Sequence, residues 1–446
     1  MNQTPLDTLF FTPFQTPFQT PFLNPFSTGL TVLFALALLA GLLLEFVLVS
    51  RQIRHVARHR ATVPAAFASH ISLAAHQKAA DYTITKTRFS LLELAWGAAL
   101  TLLWTLLGGL QWLNQTVLGW MQPGLAQQVV LLLGFALVGM VLDLPFSLYK
   151  TFVIEERFGF NKLTVRLWLQ DLLKGLLLGA VIGVPLAGLV LWLMAAAGAY
   201  WWLWTWGVWM GFSLLMLLIY PTLIAPWFNK FQPLDDAVLK QRVTQLMARR
   251  GFQSKGFFVM DGSKRSGHAN AYFTGFGASK RVVFYDTLLA QLSADEVDAV
   301  LAHELGHFKH RHVQKRMVSL FALSLLGFAL LGWLSGQSWF YTGLAVVPDV
   351  YAANHALALI LFMLVLPVFT TFTGPLFAQF SRKHEFEADA YAVAQTSGAD
   401  LTSALLKLYK DNASTLTPDP LYVRFYYSHP PASERLGRLQ PHFAQA

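Results

Sequence analysis

The chain of 446 residues is 55% hydrophobic, only 13% charged and has a mean hydropathy of +0.46. Ordinary soluble domains carry a charged fraction near ~25%, so a soluble multidomain protein is excluded and a lipid bilayer becomes the expected environment. The chain has no cysteine, which rules out disulfides and leaves only His and carboxylate side chains to hold zinc. The formal charge of +9 does not point to nucleic acid, because Lys and Arg fall mostly between apolar runs, as they do in the cytoplasmic loops of membrane proteins.

In chain order, residues 1–28 hold a repeat in which Pro13, Pro17, Pro21 and Pro25 recur every four positions, each followed by Phe. Proline at that density forbids a helix, and no basic segment precedes it as in a signal peptide, so an extended tail lying at the membrane interface is expected.

Seven segments then approach or exceed the ~20 apolar residues that cross a bilayer: 29–50, 91–113, 129–148, 175–197, 201–224, 317–335 and 355–375. The loop after the first carries Arg51, Arg54, Arg58, Arg60, Lys86 and Arg88, whereas the loop 114–128 has no charge. The positive-inside rule therefore puts the N-terminus outside. On that count the loops 149–174 and 225–316 and the segment from 376 are cytoplasmic, and all three are rich in Lys and Arg.

The expected organisation is thus a tail (1–28), five transmembrane helices with their loops (29–224), a small cytoplasmic α+β unit (225–316), two more transmembrane helices (317–375) and a cytoplasmic C-terminal segment (376–446). Within 225–316, Leu234 to Arg250 has helical spacing and ends at Gly251, a stop signal. The runs GFFVM (256–260) and RVVFY (281–285) suit strands. Ser293 and Glu296 form a capping-box pattern that starts a helix.

That helix carries His303-Glu304-Leu305-Gly306-His307. Four residues apart on a helix, His303 and His307 project from one face and reach one zinc ion, with Glu304 beside the water it deprotonates. Thirteen His and nine Glu in this chain give roughly 0.008 chance matches to the pattern. His310 and His312, in a run of basic residues, are expected to be solvated or to face lipid headgroups.

A catalytic zinc takes three protein ligands and keeps a fourth position open. In SRKHEFEADAYA (381–392) Glu385 and Asp389 are four apart. Glu385 is the candidate third ligand, and Asp389 the acceptor that fixes the tautomer of a ligand histidine; His384 and Glu387 are expected on other faces. The sequence separation of 78 between His307 and Glu385 spans the last two membrane segments, so a helical hairpin must bring both motifs to one metal.

TFVIEERFGFNK (151–162), SKRSGHANAYFTGF (263–276), RVVFYDTLL (281–289), AHELGHFKH (302–310), SRKHEFEADAYA (381–392) and SHPPASERL (428–436) together resemble the type 1 CAAX prenyl proteases, integral-membrane zinc endopeptidases, with the heat-shock membrane protease HtpX as a more distant relative. The resemblance implies seven helices around a water-filled chamber, one zinc per chain at its cytoplasmic end, ligands His303, His307 and Glu385, and Glu304 as general base. It further implies that Asn270 lies beside an edge strand that binds the peptide by β-augmentation, that His429 stabilises the oxyanion, and that Arg435 contacts the substrate's C-terminal carboxylate. The expected substrate is a hydrophobic, prenylated or membrane-anchored peptide. Without an endoplasmic-reticulum retention signal, and shorter than eukaryotic members, the chain is expected in a bacterial inner membrane.

A quality-control protease of the HtpX type would use the same site on misfolded membrane proteins. A transporter or channel with structural zinc would have no use for Glu304, because a structural site is closed.

Overall fold

The structure is a computed structural model that describes residues 24–248, 256–274 and 281–439; most of the Pro-Phe repeat and the helix stop expected at Gly251 lie outside them. The tail ends earlier than the repeat suggests. The first membrane helix, Pro25–Arg58, begins with the last repeat proline, and Asn24 caps it by accepting a hydrogen bond from the Phe26 N–H at 3.0 Å. Proline is tolerated at a first helical position because the N–H it lacks has no intrahelical partner there.

Six described helices are long and apolar enough to cross a membrane, or seven when one bent pair counts as a single span. That pair, Leu73–Trp104 and Gly109–Trp120, bends by 52° at Gly108, whose φ of 79° suits a residue without Cβ. The second span is therefore broken, and helix continues to Trp120 through part of the uncharged loop. The remaining spans are Leu125–Glu155, Val165–Ala196, Gly198–Phe228, His312–Leu334 and His355–Gln395.

The buried membrane core is concentrated at one end of the spans. Phe34 lies near the start of the first, Leu131 near the start of the third, Leu191 near the end of the fourth, Leu331 near the end of the sixth and Leu361 early in the last. Antiparallel alternation makes all of these the ends away from the motif helix. In Leu125–Glu155, Val165–Ala196 and His312–Leu334 only 6% of the most apolar window is buried.

Residues 231–285 build a four-stranded sheet of order β1 (Phe231–Pro233), β2 (Phe257–Met260), β4 (Arg281–Tyr285), β3 (Ala271–Thr274). β2 and β4 are parallel and the outer pairs antiparallel, so β3 is an edge strand. The helix expected from Leu234 begins at Ala237, because the Asp236 carboxylate accepts the Leu239 N–H at 2.9 Å and caps it.

The motif helix, Ala294–Lys309, starts in the expected capping box: Ser293 Oγ accepts the Glu296 N–H, and Glu296 Oε2 accepts the Ser293 N–H at 2.7 Å. Its Val297, Leu301 and Leu305 pack against Val282 and Phe284 of β4 and Val243 of the preceding helix.

Candidate active site

At 100° per residue, Leu301 and Leu305 fix one face of the motif helix on the sheet, so His303 and His307 leave from roughly the opposite face. Between those faces Ala299 and Ala302 pack with Ala392 of the last membrane-derived helix, Gly374–Gln395. Small residues let the two helices approach closely, and that approach brings Glu385 to the histidines.

His303 Nε2 and His307 Nε2 are 3.2 Å apart, His303 Nε2 lies 3.4 Å from Glu385 Oε2, and His307 Nε2 lies 3.4 Å from Glu385 Oε1. A tetrahedral zinc with bonds of 2.0–2.1 Å separates its ligand atoms by roughly 3.3–3.4 Å. The buried Glu385 Oε2 has no hydrogen-bond donor, an arrangement that costs free energy unless a cation meets it. The donor set therefore fits a zinc ion.

The charges agree. Burial, followed by the neighbouring His303, lowers the pKa of His307 to about 4, so its ring is neutral and has a lone pair to give. His303 is raised to about 9: burial opposes the shift, but its contact with Asp389 and the Glu385 carboxylate beside Nε2 outweigh it. These carboxylates demand positive charge at His303 Nε2, a demand that a divalent cation meets in place of a proton.

Asp389 Oδ1 lies 2.9 Å from His303 Nδ1, and Asp389 is buried. Arg435 grips the same carboxylate, its Nε donating to Oδ2 at 2.8 Å and its Nη2 to Oδ1. The resemblance gives Arg435 to a substrate carboxylate. In the structure Arg435 is 6% exposed and its Nε and Nη2 are committed to Asp389, so a substrate contact would be left to Nη1. What the fork does here is hold the residue that holds His303.

Glu304 is half-buried, and burial raises its carboxyl pKa, which moves a carboxylate toward the range of an effective general base. The exposed His429 places Nε2 3.3 Å from Glu385 Oε1, on the open side of the cluster, and shares its Nδ1 with Ser428 Oγ at 2.9 Å. His429 also borders a cavity of about 570 Å³ lined by Tyr82, Lys86, His268 and Tyr427, among others.

Asn270 is exposed and immediately precedes β3. The segment before it is pinned by residues 155–162, EERFGFNK, for which spacing alone offers no use. Glu155 accepts the Tyr82 hydroxyl at 2.7 Å and lies 3.7 Å from His268 Nε2; Phe160 stacks on the His268 ring at 4.2 Å. The Phe160 carbonyl accepts the Gly267 N–H, and Lys162 N–H donates to the Arg265 carbonyl. Arg265 pairs through two nitrogens with Asp171 at 2.9 Å. The end of the third span thus sets where the edge strand begins, a long-range relation with no periodic signal.

The basic run after the motif needs correction. His312 is buried, not solvated, and His384 and Glu387 turn toward it: His312 Nε2 lies 2.8 Å from Glu387 Oε2 and its ring stacks on His384 at 4.0 Å. The chain leaves helical geometry at Arg311, which has φ 56°, and His312 swings back beside the motif. A spacing argument that assumes one continuous helix misses it.

Residues 52–230 match the family profile described as CAAX prenyl protease N-terminal, five membrane helices, and residues 233–442 match Peptidase family M48. The CAAX prenyl protease 1 homolog of Oryza sativa is 40% identical over 69% of this chain and 72% of its own length. CAAX prenyl protease 1 of Saccharomyces cerevisiae is 40% identical over 67% and 69% respectively. The crystal structure of S. mikatae Ste24p superposes with a TM-score of 0.86 at 32% identity, covering 92% of this chain and 99% of that one. These relatives are eukaryotic, where the sequence alone suggested a bacterial setting. On the fold, the metal-ligand geometry and this likeness, the chain belongs to the CAAX prenyl protease family of M48 membrane zinc metalloproteases.

Proposed function

We propose that this chain cleaves peptide bonds near the C-terminus of prenylated or otherwise membrane-anchored peptides, using one zinc held by His303, His307 and Glu385. The observation that carries the reading is the near-tetrahedral spacing of those three side chains around an orphaned carboxylate oxygen, at the junction of the motif helix and the last membrane-derived helix. The relatives' names, CAAX prenyl protease, support the prenylated substrate.

Bound zinc would supply an activated water and a polarised scissile carbonyl. Glu304 takes the proton of the attacking water and returns it to the leaving amine, a role to which its raised pKa is suited. His429, on the open side of the cluster, donates a hydrogen bond to the oxyanion. Asn270 and the unpaired edge of β3 hold the substrate backbone as an added strand, and Asp389 with Arg435 keeps His303 in its working tautomer.

The bundle is proposed to be hollow on the side of the site. Supporting this, the buried core gathers at the far ends of the helices, and three spans bury almost none of their most apolar windows. The charge pattern supports an N-terminus outside and an active site facing the cytoplasm.

The test is to incubate purified protein with a farnesylated and an unprenylated copy of one C-a-a-X peptide, map the cut by mass spectrometry and measure zinc on the same sample. Near-stoichiometric zinc with a preference for the farnesylated peptide is expected. Equal cleavage of both peptides would favour the quality-control reading.

A further inference from the structure

The second histidine cluster lies directly behind the first. His312 Nδ1 is 3.0 Å from His307 Nδ1, and its other nitrogen, Nε2, is 2.8 Å from Glu387 Oε2. On an unbroken helix a residue five positions on would point about 140° away from His307. The left-handed backbone at Arg311 (φ 56°, ψ 35°) ends that helix and turns His312 back; such a conformation in a non-glycine residue is strained and persists where the surroundings impose it. His312 itself is 4% exposed, with the His384 ring stacked on it at 4.0 Å and the His310 ring at 5.5 Å.

His312, His384 and Glu387 offer donor atoms close enough for a metal of their own, but the ring geometry opposes it. The His312 and His384 rings are stacked 13° from parallel with centroids 4.0 Å apart. A metal bonds an imidazole in the ring plane, and no point lies in both planes near the two nitrogens, so a metal on one ring would sit above or below the other.

The geometry points instead to a hydrogen-bond relay, and we propose that Glu387 and His312 are positioning residues that set the tautomer of the zinc ligand His307. The proton placement follows from the contacts once His307 is accepted as a ligand, so this inference rests on the reading of the preceding subsection. A His307 that gives its Nε2 lone pair to zinc carries its proton on Nδ1. That proton is donated to His312 Nδ1, which accepts only if His312 is neutral and protonated on Nε2. Glu387 secures that form by accepting the Nε2 proton. The two ligand histidines are then each oriented by a carboxylate, His303 directly by Asp389 and His307 through an intervening imidazole.

The experiment compares the full-length parent with His312→Leu, His312→Asn and Glu387→Leu, measuring zinc per chain, zinc affinity by competition with a chelator, and melting temperature. His312→Leu removes the acceptor, and loss of a partner behind a metal ligand weakens affinity by roughly 10 to 100-fold. His312→Asn places an amide oxygen near the position of Nδ1 and should recover most of that loss. Glu387→Leu should weaken zinc in the same direction by a smaller factor. Parent affinity in His312→Leu would overturn the relay, as would equal losses in the Leu and Asn variants, which would make the role one of shape. Two zinc ions in the parent and one in His312→Leu would replace the relay with a second metal site. If His312→Leu does not fold, the Asn and Glu387→Leu variants decide: parent-like affinity in Glu387→Leu overturns the relay. A parent without zinc would defeat the underlying metal assignment, which separates that failure from this one.

Discussion

A Cβ atom placed on Gly306 would lie 2.8 Å from Ala388 Cα and 3.1 Å from its carbonyl oxygen, so the motif helix and the Glu385 helix meet backbone to backbone. The glycine of the HELGH motif is therefore a packing requirement of the metal site. Gly306→Ala should push the helices apart, with an overpacking cost of about 1–3 kcal/mol and sub-stoichiometric zinc. Gly437→Ala, where nothing lies within 4 Å, should leave zinc and Tm intact. Full zinc and an unchanged Tm in Gly306→Ala would show that the helix contact does not set the site.

Glu385→Ala removes one of the three proposed ligands and should lose stoichiometric zinc. Asp389→Ala should weaken zinc by roughly 10 to 100-fold and destabilise the fold by about 3–5 kcal/mol, because it leaves the buried Arg435 unpaired. Zinc content and thermal unfolding of both variants check this. Equal zinc retention in Glu385→Ala and the parent would place the third ligand elsewhere.

For Arg435 the two accounts separate cleanly. With its fork on Asp389, Arg435→Met should reduce cleavage of carboxylate-terminated and C-terminally amidated peptides alike, and lower both Tm and zinc affinity. A loss confined to the free carboxylate, amounting to about one to two powers of ten in kcat/KM, would restore Arg435 to the substrate.

His268→Ala removes the ring that Phe160 stacks on and that Asn412 meets at 3.3 Å, loosening the entry to the edge strand. KM should rise roughly two- to tenfold, the worth of one net hydrogen bond of about 0.5–1.5 kcal/mol, with zinc unchanged. Steady-state kinetics showing an unaltered KM would detach this segment from substrate binding.

What the sequence made legible followed from local rules. The capping box, the two core strands, the apolar spans and the i, i+4 ligand pair all depend on neighbours within one or two turns, and each leaves a pattern of residue types. What it hid depends on backbone departures or on chain-distant contacts. The bend at Gly108 and the left-handed turn at Arg311 interrupt a periodicity that still reads as helix, which is why His312 looked solvated. The grip of Glu155 on Tyr82 and His268 spans 73 residues or more and follows no spacing. Arg435 was visible as a functional residue, but its partner was not, since a buried guanidinium reads the same in sequence whether its carboxylate is the protein's own or the substrate's.

The central claim, that the cluster is a peptidase site and not a structural zinc, is tested most directly by Glu304→Gln. Glu304 is next to His303 and lies outside the proposed ligand set, so the variant should keep its zinc and its Tm. Peptide cleavage should fall by about two to four powers of ten, the worth of a positioned general base. Retained zinc with cleavage within a factor of about three of the parent would contradict the account.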